Sequence, residues 1–423
     1  MFDFLKYILA NNRENERDIR GRKNGNHGEN HNAIQREFKF DERVVKKEEI
    51  SMVDVLPRDA NQPLRGSKRR FSENLDYNVS VIASRLRDDN LAFEEFQVGS
   101  RGKRRLIITY LKDICNSGIV DEVRNRILSI DANTILDSSY LERNIENSNK
   151  SPFPQIEYSD RPEVIESGLL QGRVGILIDE NPDILLAPTT FFDLMDTPED
   201  AFGRWFVATT FFRIARYIMF FFAACLPAFY IALTSYNIGF IPTELTFLIA
   251  ASKGVSPFPI YFEAFLMMGV VEAVRLVILR IPTQLGAAIA LFTGLTLVGA
   301  GLAANIFGAP IVMVVTLTII TSFGIPNFDL RSSIRIIQFF TMIMTSLFGI
   351  FGFAVAFFYI ATHMVTLKSF GVPYMAPLAP VEGSGWHHTI IRKSTPDLPK
   401  DETYQTSTEE EDNMDNERET DYE

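Results

Sequence analysis

Cysteine is nearly absent: Cys115 and Cys225 are the only two in 423 residues. One lies in a charged region and the other inside an apolar run, so no disulfide is expected between them, which agrees with a reducing compartment. There is no Gly-rich phosphate loop, no Gly-x-Ser-x-Gly elbow and no cluster of His and Cys, so the chain reads as not an enzyme and as needing no cofactor. His27 and His31 stand four apart in a polar segment. Without a helix or cysteine partners they make no expected metal site. The opening MFDFLKYILANN is broken by Asp3 and Lys6 and has no cleavage-site pattern. No signal peptide is expected, and the N-terminal region is placed in the cytoplasm.

Charge is missing over long stretches. None occurs between Tyr217 and Thr243, between Ile281 and Phe328, or between Ile336 and Leu367. A hydrocarbon core of ~30 Å takes about 20 apolar residues per helix, so these runs imply a polytopic membrane protein. The net charge of -11 averages a mixed soluble part, a neutral membrane part and an acidic tail. It supports no nucleic-acid partner.

Five regions follow. Residues 1–70 form a charged leader, expected to be disordered because it cannot bury enough apolar area to offset its ordering entropy. Residues 71–203 form a cytosolic α/β domain, and 204–368 a transmembrane helical domain. A juxtamembrane segment, 369–393, leads to an acidic tail, 394–423, also expected to be disordered. The fold class is thus an α/β cytosolic domain followed by an all-α polytopic membrane domain of four to five transmembrane helices.

Within the soluble domain, Ser72 is expected to cap a helix with Leu75, Val79, Ile82 and Leu86 on one face. Ala92–Val98 and Arg104–Leu111 flank a GSRGK turn as a hairpin, with RGKRR at its tip. That basic run can touch anionic lipid or simply be solvated. Helices are expected over Ile119–Ile130 and, capped by Asp160, over Pro162–Leu170. RVGILID and DILLAP read as strands around an ENP turn.

In the membrane part, Arg204, Arg213 and Arg216 are placed at the lipid surface between the interfacial aromatics Trp205 and Tyr217. The first span, Tyr217–Asn237, contains Pro227, a kink candidate. Ile241–Pro259 is half a membrane thick and reads as interfacial or re-entrant. The uncharged run from Ile281 divides at Asn305–Pro310 into two spans, with Pro310 a second kink or hinge candidate. Gly286, Gly294, Gly299 and Gly301 are helix-packing candidates, since small residues let helices approach in lipid. A last span covers Ile336–Val365, with Gln338 and His363 placed near headgroups.

The stretch 258–282 carries the site candidates. It is apolar enough to enter a bilayer yet holds Glu263, Glu272, Arg275 and Arg280, and ionisable groups at membrane depth are costly. Glu263 and Glu272 fall on different flanks of a helix. Glu272 and Arg275, at i and i+3, can pair. Two readings stay open: a self-neutralising ion pair with snorkelling neighbours, or Glu263 or Glu272 facing a protein interior or a wet cation path, with Arg275 as a gating or structural partner. Counting this stretch as spanning satisfies the positive-inside rule with five spans and an outside C-terminus; treating it as re-entrant gives four.

Several phrases carry a resemblance: SPFPQIEYSDRPEVIESGLLQGRVGILID, APTTFFDLMDTPEDAFGRW, LPAFYIALTSYN, IPTELTFLIAASKGVSPFP, IPNFDLRSSIRIIQFF and SFGVPYMAPLAP. In this order, over about residues 71–380, they resemble the A subunit of the nutrient germinant receptors of endospore-forming bacteria. The resemblance implies a spore inner-membrane protein working with a transporter-like B subunit that binds the nutrient and a lipoprotein C subunit. It further implies a homo-oligomer, such as a pentamer, in contact with membrane lipid and passing monovalent cations to start germination. It places both soluble ends in the cytosol, hence an even number of spans. Glu263, Glu272, Arg275, Arg280 and Pro282 match the family pattern. Met268 and Leu276 stand where it has further carboxylates, GAGLAANIFG replaces a polar segment, and an additional N-terminal subdomain is replaced by the polar leader. Two rival expectations remain. One is a secondary transporter with a broken helix at Pro227, 241–259 or Pro310, against which no inverted repeat is visible. The other is a non-conducting structural paralogue of the receptor.

Overall fold

The computed structural model describes residues 33–37, 70–99, 101–130, 137–148, 150–197, 206–253, 256–278, 280–281 and 283–379. The acidic tail, His27 and His31, Arg204 and Trp205 lie outside them, as does most of the leader. One piece of the leader does not: Ala33–Glu37 forms β1.

The soluble half continues with α1 (Leu75–Leu86), β2 (Leu91–Val98), β3 (Arg104–Leu111), α2 (Ser117–Leu128), α3 (Ser138–Ile145) and β4 (Glu157–Ser159). Next come α4 (Pro162–Leu170), β5 (Val174–Ile178), β6 (Ile184–Ala187) and α5 (Phe191–Met195). The sheet order is β1-β2-β3-β5-β6-β4, and every neighbouring pair is antiparallel. The expected layer of helices and strands is present, with an antiparallel sheet. Both hairpins close through short turns, which parallel strands cannot use.

Both sheet faces are covered. Leu75, Val79 and Ile82 of α1, with Ile165 and Leu169 of α4, pack on Ile107, Leu177 and Leu186. On the other face, Ile119, Val123 and Ile127 of α2 and Leu141 and Ile145 of α3 pack on Leu106, Ile108, Ile176 and Ile178. Neighbours in a strand point to opposite faces, so a doubly covered strand must be apolar throughout, as LII of β3 and ILI of β5 are.

The caps differ from expectation. Asn74, not Ser72, caps α1, accepting from the N–H groups of Asp76 and Tyr77, while the Ser72 hydroxyl accepts from the Asn74 N–H. The cap of α4 is Arg161, with Pro162 fixing the first turn, and Asp160 instead pairs with Arg70 at 2.8 Å. In RGKRR, Arg104 pairs with Glu180, and Arg105 with Asp76 and Glu95. Half of the basic run is therefore tied to the domain.

The helical half comprises α6 (Phe206–Ile231), α7 (Thr243–Lys253), α8 (Ile260–Ile278), α9 (Thr283–Ala303), α10 (Ala309–Phe323) and α11 (Phe328–Thr366), followed by β7 (Lys368–Ser369) and β8 (Val372–Pro373). Among the described residues, two helices are long and apolar enough to cross a membrane: Thr209–Tyr236, with mean hydropathy 1.9, and Phe328–Thr366, with 2.1. At 1.5 Å per residue, the 15 residues of α10 reach about 22 Å, short of a ~30 Å core. Among the described residues, length and composition support two spans, and the expected four to five are not confirmed. Leu291, Phe292 and Leu295 of α9 are each more than 70% exposed, an outward apolar surface that suits lipid rather than water.

The last helix is not one rod. Gly349 has φ 62° and ψ -142°, and the Phe340 and Tyr359 rings on either side of it lie 5.7 Å apart. Ser333, before the break, donates to the Pro152 carbonyl, and His363, after it, meets Ser151 Oγ at 2.9 Å. Residues 328–348 and 350–366 therefore form an antiparallel hairpin with both feet on the soluble domain. His363 consequently contacts protein rather than headgroups, and Gln338 is buried.

This return threads the juxtamembrane segment into the soluble domain. Phe370 and Val372 join the core beside α2, and the Arg126 guanidinium lies 4.3 Å from the Phe370 ring centroid. Ser369 donates to the Gln155 carbonyl at 2.6 Å and accepts the Thr189 N–H at 3.1 Å. Arg173, paired with Glu157 at 2.9 Å, donates to Thr189 Oγ1 and to the Pro188 carbonyl. At the foot of α6, Arg213 pairs with Asp196 at 2.7 Å and Tyr217 packs on Phe191 and Phe192. The soluble domain, rather than the lipid surface, thus holds these two residues.

Candidate functional site

Glu263 lies in the first turn of α8 and is 3% exposed. Its Oε1 accepts the N–H of Gly308, the cap residue of α10. A helix N-terminus presents unpaired N–H groups and a partial positive charge, so a carboxylate there is stabilised by up to ~2 kcal/mol when partly buried. A Cβ on Gly308 would stand 3.3 Å from Glu263 Oε1 and 3.4 Å from Ser252 Oγ. The end of α7, the start of α8 and the start of α10 therefore converge on one glycine. The surroundings are apolar: Ala228, Ile231, Met267, Met268, Phe307 and Ile311 form one buried cluster.

Glu272 lies on the other flank and is shared. Arg275 Nη1 donates to its Oε1 at 2.8 Å, and Arg335 Nη1 of α11 donates to its Oε2 at 3.4 Å. The i,i+3 pair expected from spacing is present, with a second arginine from another helix added. The two carboxylates thus fix α8 against two different neighbours, Glu263 against α10 and Glu272 against α11. In a single chain each is engaged by protein groups.

The other candidates are dispersed. Gly301 abuts the Phe307 ring, and a Cβ on Gly286 would make ordinary contact with Ile278 at 3.9 Å. Gly294 and Gly299 face open space within this chain. Pro227 lies inside α6, which passes into a π-helical turn, Ala232–Tyr236. Pro310 is in the first turn of α10, where proline suits a helix start, so it is no mid-helix hinge. Sequence reasoning missed Gly308, Ser252 and Arg335. The GAP triplet at 308–310 was the available signal for the first, since it marks a helix N-terminus.

A second polar group sits where the two halves meet. Burial, the adjacent Glu146 and Asp329 of α11 push the Glu142 carboxyl up to about 8. Burial and Asp329 push Glu146 up to about 7, against the opposing hydrogen bond from the Gln155 N–H. Among the described residues no group of His, Cys, Asp and Glu is arranged to hold a metal ion.

Comparison with known proteins places these features. The profile of the family described as Bacillus/Clostridium GerA spore germination protein matches residues 50–404. Spore germination protein KA of Bacillus subtilis is 34% identical over 328 residues, covering 78% of this chain and 60% of that protein. An uncharacterized membrane protein of the same organism, YfkQ, is 35% identical over 317 residues, covering 75% and 62% respectively. Spore germination protein A1 of B. subtilis is 32% identical over 338 residues, covering 80% and 70%. The chain thus spans less than two thirds of the length of the first two. The crystal structure of the N-terminal domain of the A subunit of the Bacillus megaterium spore germinant receptor GerK3 is 33% identical, covering 29% of this chain and 98% of that one, with a TM-score of 0.25.

Proposed function

The chain belongs to the GerA spore germination protein family, and from that premise we propose that it is the A subunit of a nutrient germinant receptor that gates monovalent cations in the spore inner membrane. It works with a transporter-like B subunit and a lipoprotein C subunit and self-associates as a homo-oligomer. It makes and breaks no bond.

The observation that supports gating is the capping of α10 by Glu263. A buried carboxylate that accepts a backbone N–H, among apolar side chains, exchanges that partner for a cation once the helices separate. Opening therefore means parting Glu263 from Gly308, and the soluble domain, gripping α6 and both feet of the α11 hairpin, transmits the motion.

A non-conducting role is the competing reading. It is favoured by the engagement of both carboxylates and by Met268 and Leu276 in place of further acids.

The deciding experiment compares nutrient-triggered potassium release from spores lacking only this gene with release from otherwise identical spores, over a panel of amino acids and sugars. Loss of release for one nutrient class is expected. A strain carrying Glu263→Gln then separates the readings, since a conducting subunit slows release whereas a structural one leaves it unchanged.

A further inference from the structure

We propose that the end of α8 and the start of α11 form a binding site for the phosphate of an anionic phospholipid, with the lipid chain lying in the groove between α8 and α9. Three arginines, Arg275, Arg331 and Arg335, meet there. Arg331 stands one turn before Arg335 on α11 and so on the same face, and the single carboxylate bonded to the group, Glu272, is shared by Arg275 and Arg335. Three positive charges thus share one bonded carboxylate, and Arg331 has none.

The donors are also in excess. Each guanidinium has five N–H groups. Arg275 uses Nη1 on Glu272; Arg331 uses Nη2 on the Ile325 carbonyl; Arg335 uses Nη1 on Glu272 and Nη2 on Ser332 Oγ. The Nε atoms of Arg331 and Arg335 are shielded from solvent and have no hydrogen-bond partner. Planar guanidinium forks match phosphate oxygens bidentately, and a phosphate would satisfy both donors and charge. Asp329, the acid nearest in sequence on α11, lies about 200° around the helix from Arg331. Its electrostatic neighbours are Glu142, Glu146 and Tyr158 of the soluble domain, although Tyr158 also faces Arg331.

Position and shape select a lipid over a free anion. The start of α11 packs on the soluble domain through Leu330 and Ile334, which share a cluster with Phe153 and Tyr374. That end of the helical half is therefore the membrane boundary, where the phosphate layer of a bilayer lies. An apolar groove lined by Ala273, Val274, Val277, Ile278, Ile289 and Thr293 runs along the same final turns of α8. Around α8, Arg275 falls between Glu272 and the groove residues Ile278 and Val274, so one amphiphile can reach the guanidinium with its head and the groove with its tail.

The test uses the full-length protein in a neutral detergent, with its thermal unfolding followed on addition of short-chain phosphatidylglycerol, short-chain phosphatidylcholine or inorganic phosphate. Phosphatidylglycerol is expected to bind at least tenfold tighter than phosphatidylcholine, and inorganic phosphate to shift the midpoint far less. The double variant R331Q/R335Q is expected to lose the preference. Glu272→Gln, which removes the competing carboxylate, is expected to strengthen it several-fold, read as the ratio between the two lipids within that variant so that a change in basal stability cancels. Equal binding of the two lipids by the unaltered protein overturns the proposal. So does a Glu272→Gln ratio no higher than that of the unaltered protein, or inorganic phosphate reproducing the full lipid shift.

Discussion

Glu263 and Gly308 are 45 positions apart, yet the carboxylate of one accepts the first backbone N–H of the helix that the other begins. Glu263→Gln keeps an acceptor of the same shape and loses only the charge, so it should fold with a small loss of stability. Glu263→Ala leaves the N–H buried and unpaired and should cost about 1–3 kcal/mol. Thermal unfolding of the purified variants checks the order. Equal losses would mean that charge, not the hydrogen bond, holds α10.

The bend at Gly349 needs a residue that tolerates positive φ, and a Cβ there would stand 2.9 Å from Cγ of Tyr236. Gly349→Ala should destabilise by about 1–3 kcal/mol, combining left-handed backbone with overpacking. Tyr236→Phe removes the hydroxyl that bonds the Ser346 carbonyl and should cost about 1 kcal/mol. Denaturant unfolding in detergent gives both values.

Glu142 and Glu146 bind protons more tightly folded, at about 8 and about 7 against an ordinary 4.5. Between those limits the unfolded chain holds fewer protons than the folded one, so stability falls as pH rises. The contribution is complete below about pH 4.5 and lost by about pH 8. Melting from pH 4.5 to 8 should show a steeper decline for the unaltered protein than for a Glu142→Gln, Glu146→Gln double variant. Parallel curves would refute the assignment.

Ser369 bonds both the Gln155 carbonyl and the Thr189 N–H in a fully buried position. Ser369→Ala should cost on the order of 1–3 kcal/mol and speed hydrogen exchange at the Thr189 amide. Thr189→Ser should leave that exchange unchanged, since the N–H remains bonded.

Local signals carried much of this architecture. The hairpin β2–β3, the strands around the ENP turn and the exact extent of α4 follow from alternation and from Pro162 and Gly172. Charge-free runs located the helical half, and i,i+3 spacing predicted the Glu272–Arg275 pair. What stayed hidden depends on contacts distant in sequence. The partner of Glu263 is 45 residues away and that of Glu272 on α11 is 63 away. The hairpin bend was masked because Gly349 sits inside an unbroken apolar run, where a glycine reads as helix packing. Nothing in Ser369 or Phe370 announces that they complete a core that lies 180 residues or more upstream.

Those last residues have a consequence for synthesis. Domains made first on the ribosome usually fold first, at about 5–20 residues emerging per second. Here the sheet is finished long before Phe370 and Val372 emerge, yet both belong to its core. The soluble domain must therefore wait, incomplete on its α2 face, until every membrane helix has been made and the hairpin has turned back. Its final packing is a late step in biogenesis.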